Sequence, residues 1–225
     1  MERIVKSQKN VTTVEDITHD FLKRGVETYI ADITVCSIRK WFAIPDGGLL
    51  YSKINIPEVL IDEDNFFAEK RISAMKRKSI YLSNGKIEEK EIFRNELSEA
   101  NQYIDTVKNI STMNCWSTEV LKHIDLRRMY TIRLKHCRKF LDELSSLDNI
   151  RLLESEAVKS TLYFPVLVKE QNIVQRKLAE KGIYAPIIWP LPKLAEGVCE
   201  IADDVADHML GVPCDHRYTY EEILQ

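Results

Sequence analysis

The sequence has no long apolar run, no paired cysteines and no marked excess of either charge. Each absence narrows the field. No apolar stretch approaches the roughly 20 residues that a membrane-spanning helix needs. The opening residues, MERIVKSQKN, lack the apolar centre of a secretory signal peptide. The five cysteines (Cys36, Cys115, Cys137, Cys199, Cys214) are odd in number, and none stands in a C-x-x-C pair. Neither a zinc knuckle nor a disulfide framework is suggested; reduced thiols in a cytoplasm fit better. A formal net charge of -3 offers no basic field for nucleic acid. Internal repeats and low-complexity segments are also missing. The expectation is a cytoplasmic protein with no membrane, nucleic-acid or metal partner.

What is present suits a folded chain. Apolar residues make up 44% of the 225, enough for a sizeable core, and the length allows one large domain or two small ones. Val11 to Val14 is a short β-rich run ending in Glu15-Asp16. Tyr29 to Ser37 reads as a second extended stretch. Pro45-Asp46-Gly47-Gly48 is a turn signal, after which Leu49-Leu50-Tyr51 resumes an apolar strand. From about Asn65 the period changes. Phe66, Phe67, Ile72 and Met75 suit a helix with one buried stripe, and Ile92, Phe93, Leu97, Ala100, Ile104 and Val107 suit a second. A third helix is expected from Ser117 to Leu144. Its basic residues (Arg127, Arg128, Arg133, Lys135, Arg138, Lys139) read as a solvated face more readily than as a nucleic-acid stripe. Thr161 to Val168 is a strand, Lys169 to Lys181 a helix with Ile173, Val174 and Leu178 inward, and Gly182 its stop. Ile183 to Trp189 reads as a strand, Ile201 to Ala206 as a short helix and Met209 to Val212 as a strand.

Three local features bear on chemistry. Glu15-Asp16 sits at a strand tip, where α/β folds place ligands, with His19 three residues on. An acidic strand end is also a common solvated terminus. Ser37-Ile38-Arg39-Lys40 follows the next strand. A lysine partly buried there loses ammonium character, because desolvation disfavours the charge, and a neutral amine is the nucleophile of Schiff-base chemistry. An ordinary surface lysine fits the same spacing. The paired glycines after Asp46 allow positive φ and the close approach of a ligand, or form a plain turn.

Order and spacing join the three. The stretch Ala31-Asp32-Ile33 through Ser37-Ile38-Arg39-Lys40-Trp41 to Pro45-Asp46-Gly47-Gly48 resembles the lysine region of the DegT/DnrJ/EryC1/StrS aminotransferase family. Glu15-Asp16-Ile17-Thr18-His19 is similar to that family's E-D-x-x-H/Q segment. Tyr184-Ala185-Pro186 through Trp189-Pro190-Leu191, and Pro213-Cys214-Asp215-His216-Arg217-Tyr218, are similar to its C-terminal segments. The resemblance is specific in the first fifty residues and looser from 60 to 180.

The resemblance implies an α/β chain: part of a PLP-dependent transferase large domain, with a mostly parallel sheet, plus a small C-terminal α/β domain. Residues 1–60 would be the remnant of the pyridoxal-phosphate-binding domain, 61–109 bridging helices and 110–225 the small domain. The implied cofactor is pyridoxal 5'-phosphate. Asp16 would pair with its ring nitrogen, His19 would lie near its phenolic oxygen, Ser37 would contact its phosphate, and Lys40 would carry the Schiff base and move the proton. Lysine at that position favours amino transfer over dehydration. Arg217 is implied either beside the substrate or in a surface ion pair, and Arg39 either beside the phosphate or in a structural one. The implied activity is amino transfer to a keto substrate, a nucleotide-linked sugar. In that family the large domain begins well before the acidic strand, so the resemblance covers its C-terminal part only. A homodimer, a complementing N-terminal chain or a non-catalytic fragment that works through a partner are the expected forms.

Overall fold

The computed structural model describes residues 10–23, 29–57, 61–62, 65–153 and 161–223. The polar opening segment, residues 1–9, lies outside them. The chain divides into two units: Met1–Thr18 with Thr28–Ile124, and His19–Glu27 with Asp125–Gln225. The helix pair expected to bridge two domains falls in the first unit, and the main stretch of the second runs from Asp125, where the small domain was expected from residue 110.

The first unit is built on β1 (Val14–Asp16), β2 (Ile33–Cys36) and β3 (Leu49–Ser52), in that order. Alternation sets which side chains enter the core: Glu15, Thr34 and Cys36 are buried, while Val14 and Asp16 are exposed. β1 runs parallel to β2, with Asp16 beside Val35. β3 runs antiparallel to β2, with Leu49 opposite Cys36. The expected mostly parallel sheet is thus mixed. Residues 37–48 hold a one-turn 3-10 helix, Ile38–Lys40, and a tight turn, with no crossover helix to return the chain for parallel pairing. A side-chain clasp fixes the entry to β2: the backbone N–H and the hydroxyl of Thr13 each donate to the Asp32 carboxylate at 2.8 Å.

Next come β4 (Ile61–Asp62), α1 (Phe66–Asn84), α2 (Ile87–Thr106) and β5 (Ile110–Ser111). β4 and β5 pair in parallel, which brings the chain back beside its starting point after the two helices. Gly85, at φ +71°, ends α1 and lets α2 fold back against it. Of the stripe expected at Phe66, Phe67, Ile72 and Met75, Phe66 is exposed and the other three are half-buried. The fully buried residues of the pair are Ala68 and Ala74 of α1 and Phe93 and Ala100 of α2. Small residues bring the helices close, and polar pairs border the seam, among them Lys70–Glu99 at 2.6 Å and Arg77–Glu89 at 2.9 Å.

A single helix was expected from Ser117 to Leu144, but it is two. α3 (Cys115–Lys122) closes the first unit, and α4 (Leu126–Leu144) opens the second. The break has a local cause. The Asp125 carboxylate accepts from the Arg128 backbone N–H at 2.8 Å and caps α4.

The second unit carries β6 (Ile150–Leu152), β7 (Tyr163–Val168), α5 (Gln171–Glu180), α6 (Glu200–His208), β8 (Met209–Pro213) and a final turn, α7 (Tyr220–Ile223). Its sheet, in the order β6-β7-β8, is antiparallel throughout. Phe164, Val166, Val168 and Leu210 form its core with Cys137 of α4 and Cys214, and Val174 and Leu178 of α5 pack on it. Ile173 of the same helix is exposed, contrary to the expected inward set. The strand expected over Ile183 to Trp189 reduces to one bridge, Ile187 with Leu210. Pro186 and Pro190 have no N–H to give to a ladder, and Trp189 adopts φ +54°. Gly211 of β8 is fixed by close packing: a Cβ there would stand 2.3 Å from Ile188 Cδ1.

Candidate functional site

In the first unit the strand tips and the turn after them enclose a cavity of about 620 Å³, within the usual range for small-molecule sites. Asp16 and Thr18 line it from the end of β1; Val35, Cys36, Ser37 and Arg39 from the end of β2 and its 3-10 turn. Asp46 to Leu50, Phe67 of α1, and 110–113 complete the wall.

Each polar group has a definite state. One oxygen of Asp16 accepts from the Thr18 backbone N–H at 2.8 Å. The Thr18 hydroxyl accepts from the Ser37 backbone N–H at 2.9 Å and ties the two strand ends together. Trp41, buried behind them, donates its indole N–H to the Thr18 carbonyl at 2.5 Å. The Ser37 hydroxyl makes no hydrogen bond with a described residue. Cys36 lines the cavity as a thiol, not a thiolate: burial pushes its pKa up to about 11, with Asp16 adding to the rise. That argues against Cys36 as a nucleophile.

The turn is locked in place. Asp46 accepts from the Asn114 backbone N–H at 2.8 Å and from the buried hydroxyl of Ser117, so it anchors the start of α3. Gly47 has φ +116°, and a Cβ there would lie 2.8 Å from Met113 Sδ. A glycine is required at this position for both reasons.

The residues picked out by sequence separate into groups. Asp16 and Ser37 share the cavity with Arg39. Lys40, the last residue of the 3-10 turn, is exposed and does not line the cavity. His19 belongs to the second unit, where its ring stands 5.0 Å from Trp189 and 6.2 Å from Tyr163. Arg217 also belongs there, and its guanidinium donates two bonds of 2.9 Å to Asp215. Asp215 meets Arg133 as well, at 3.1 Å. Arg133 is only 1% exposed, so it is a buried tie and not part of a solvated basic face.

Sequence reasoning missed Thr18, Phe67 and the 110–113 wall of the cavity, and Arg71 beside Phe67. Only the Phe67-to-Arg71 spacing, one turn of a helix, gave a hint. Arg39 stands 5.7 Å and Arg71 5.5 Å from the centre of the Phe67 ring. The cavity walls suit pyridoxal phosphate. A carboxylate is available for a ring nitrogen, and an uncommitted hydroxyl and a guanidinium are available for a phosphate.

No family model matches the chain, and no curated protein does. Solved structures do. The sugar aminotransferase CalS13 from Micromonospora echinospora is 12% identical over 96% of this chain and 57% of its own, with a TM-score of 0.58. A DegT DnrJ EryC1 StrS aminotransferase from Brucella abortus is 12% identical over 98% of this chain and 57% of its own, with a TM-score of 0.58. Helicobacter pylori PseC, an aminotransferase involved in the biosynthesis of pseudoaminic acid, is 13% identical over 99% and 59%, with a TM-score of 0.56. The chain thus spans less than two thirds of the length of the structures it matches. No described helix is long and apolar enough to cross a membrane. The chain has the mixed α/β fold of DegT/DnrJ/EryC1/StrS-type aminotransferases, over a little more than half of such a protein.

Proposed function

We propose that the chain binds pyridoxal 5'-phosphate in this cavity and takes part in amino transfer to a keto substrate, of the nucleotide-linked sugar class. One observation carries the reading. The Asp16 carboxylate, the Ser37 hydroxyl and the Arg39 guanidinium line one cavity at the ends of two parallel strands. Bound there, the cofactor would supply an electron sink for the substrate carbon.

The chain's own residues take separate roles. Asp16 would hold a proton on the ring nitrogen, with one oxygen already oriented by the Thr18 N–H. Ser37 would donate to the phosphate. Lys40 would supply the amine and move the proton, for which its side chain must turn inward from its exposed position. The roles of His19 beside the ring and Arg217 beside the substrate rest on resemblance alone. Residues 1–60 are read as part of the cofactor-binding domain and the C-terminal residues as the small domain. The working form is read as a homodimer or a complex with a complementing N-terminal chain, in a cytoplasm.

The test is reductive capture. The purified protein, alone and with any complementing chain, is mixed with the cofactor, treated with borohydride and digested. A tag on the Lys40 peptide, lost in Lys40→Ala, is expected. A tag on other lysines that survives in Lys40→Ala contradicts the assignment. The exposure of Lys40 favours a second reading, a non-catalytic chain that acts through a partner. Cofactor that binds but is never captured would select it.

A further inference from the structure

Arg39 and Arg71 pose an electrostatic problem that the described residues of the first unit do not solve. Both guanidiniums pack about the Phe67 ring, at 5.7 and 5.5 Å from its centre. Burial lowers the pKa of both, and the charge of Arg39 lowers that of Arg71 further. Among the described residues neither meets a carboxylate within ion-pair distance or donates a hydrogen bond. The Nε of Arg71 is buried with no acceptor. A half-buried charge without a partner is costly, and two like charges side by side cost more. The face of one phenyl ring is a weak compensation for two cations. Elsewhere the described arginines include paired ones: half-buried Arg77 with Glu89, and buried Arg133 and exposed Arg217 with Asp215.

We infer that Arg39, which lines the cavity, and Arg71, which packs on the same Phe67 ring, form a clamp for a doubly charged phosphoryl group. A guanidinium presents a planar fork of donors that matches phosphate oxygens, and two forks match a group with two negative charges. Hydroxyls stand close by: Ser37, Ser111 and Thr112 line the same cavity as Arg39 and Phe67. Phe67 and Arg71, four residues apart on α1, keep the second fork in register with the ring. The clamp requires only these two arginines and stands whether or not Lys40 captures a cofactor. Two sources carry such a group, pyridoxal phosphate and a phosphorylated substrate, and the experiment separates them.

The full chain is titrated with sodium pyrophosphate at low salt by calorimetry, and melted with and without it. The wild type should bind at one site and melt higher with pyrophosphate. Arg39→Gln and Arg71→Gln should each weaken binding by at least about tenfold, the loss of one charge-assisted bond. The exposed Arg176→Gln, on α5, should bind as the wild type does. Without pyrophosphate, Arg71→Gln should melt no lower than the wild type, because it removes an uncompensated charge. Pyrophosphate that displaces pyridoxal phosphate assigns the clamp to the cofactor's phosphate; pyrophosphate that binds beside it assigns the clamp to a substrate. No pyrophosphate-dependent rise in the wild type, unchanged affinity in both variants, or an Arg71→Gln protein that melts lower in phosphate-free buffer would overturn the inference.

Discussion

Asp215 serves two arginines, one buried and one exposed. Arg133 reaches it at 3.1 Å and also donates to the carbonyls of Thr161 and Leu162, each at 3.1 Å. Removing one partner of a buried pair leaves the other charge uncompensated. Asp215→Ala is therefore expected to destabilise the second unit by about 3 kcal/mol, read from the shift of its denaturant midpoint. The pH dependence follows from the same contacts. Burial raises the pKa of Asp215, but the bonds from Arg217 and the charge of Arg133 outweigh it and leave the carboxyl below its ordinary value of 3.8. A group whose folded pKa is depressed adds stability above its unfolded pKa, and that stability is lost as pH falls through the folded value. The midpoint difference between wild type and Asp215→Ala should hold above about pH 4 and shrink below it. A difference that stayed constant down to pH 2 would show that the ion pairs do not carry the effect.

At the scale of elements, the turn between the 3-10 helix and β3 holds the cavity wall. Asp46 fastens it to the start of α3, and Gly47 takes a backbone conformation that side chains avoid. Gly47→Ala should cost about 1–3 kcal/mol from the backbone alone, with the Met113 contact adding to it. The observable is a lower melting temperature with the second unit's core packing, seen by near-ultraviolet spectra, still intact. An unchanged melt would mean the turn is free to rearrange. Elements whose signals are local were legible in the sequence. α1 and α2, the strands β7 and β8, and the Gly182 stop all follow from periodicity or backbone chemistry. Those missed depend on remote partners. β4 and β5 are two residues each and exist only by pairing with one another across the helix pair. The α3–α4 break was written in Asp125, a cap residue inside what reads as one long apolar periodicity. In α1 the buried residues are Ala68 and Ala74 and the expected Phe66 is exposed, while Phe93 and Ala100 of α2, both in the expected stripe, are buried.

At the scale of the molecule, the acid at one strand end and the serine at the next were readable, and the parallel pairing of β1 with β2 brings them into one cavity. What the sequence could not show was the rest of the wall, Phe67 and 110–113, since long-range folding places it there. Lys40 was read either as a partly buried amine or as an ordinary surface lysine, and the residue is exposed. A 3-10 turn carries the chain past the cavity with Arg39 inward and Lys40 outward, and S-x-x-K spacing does not specify that rotation. The central claim is that this cavity is where pyridoxal phosphate binds. A crystal structure of the chain grown with the cofactor tests it most directly. The account predicts difference density in the cavity, with the phosphate beside Ser37 and the ring nitrogen beside Asp16. Density for the cofactor only at surface lysines, with the cavity holding water alone, would contradict it.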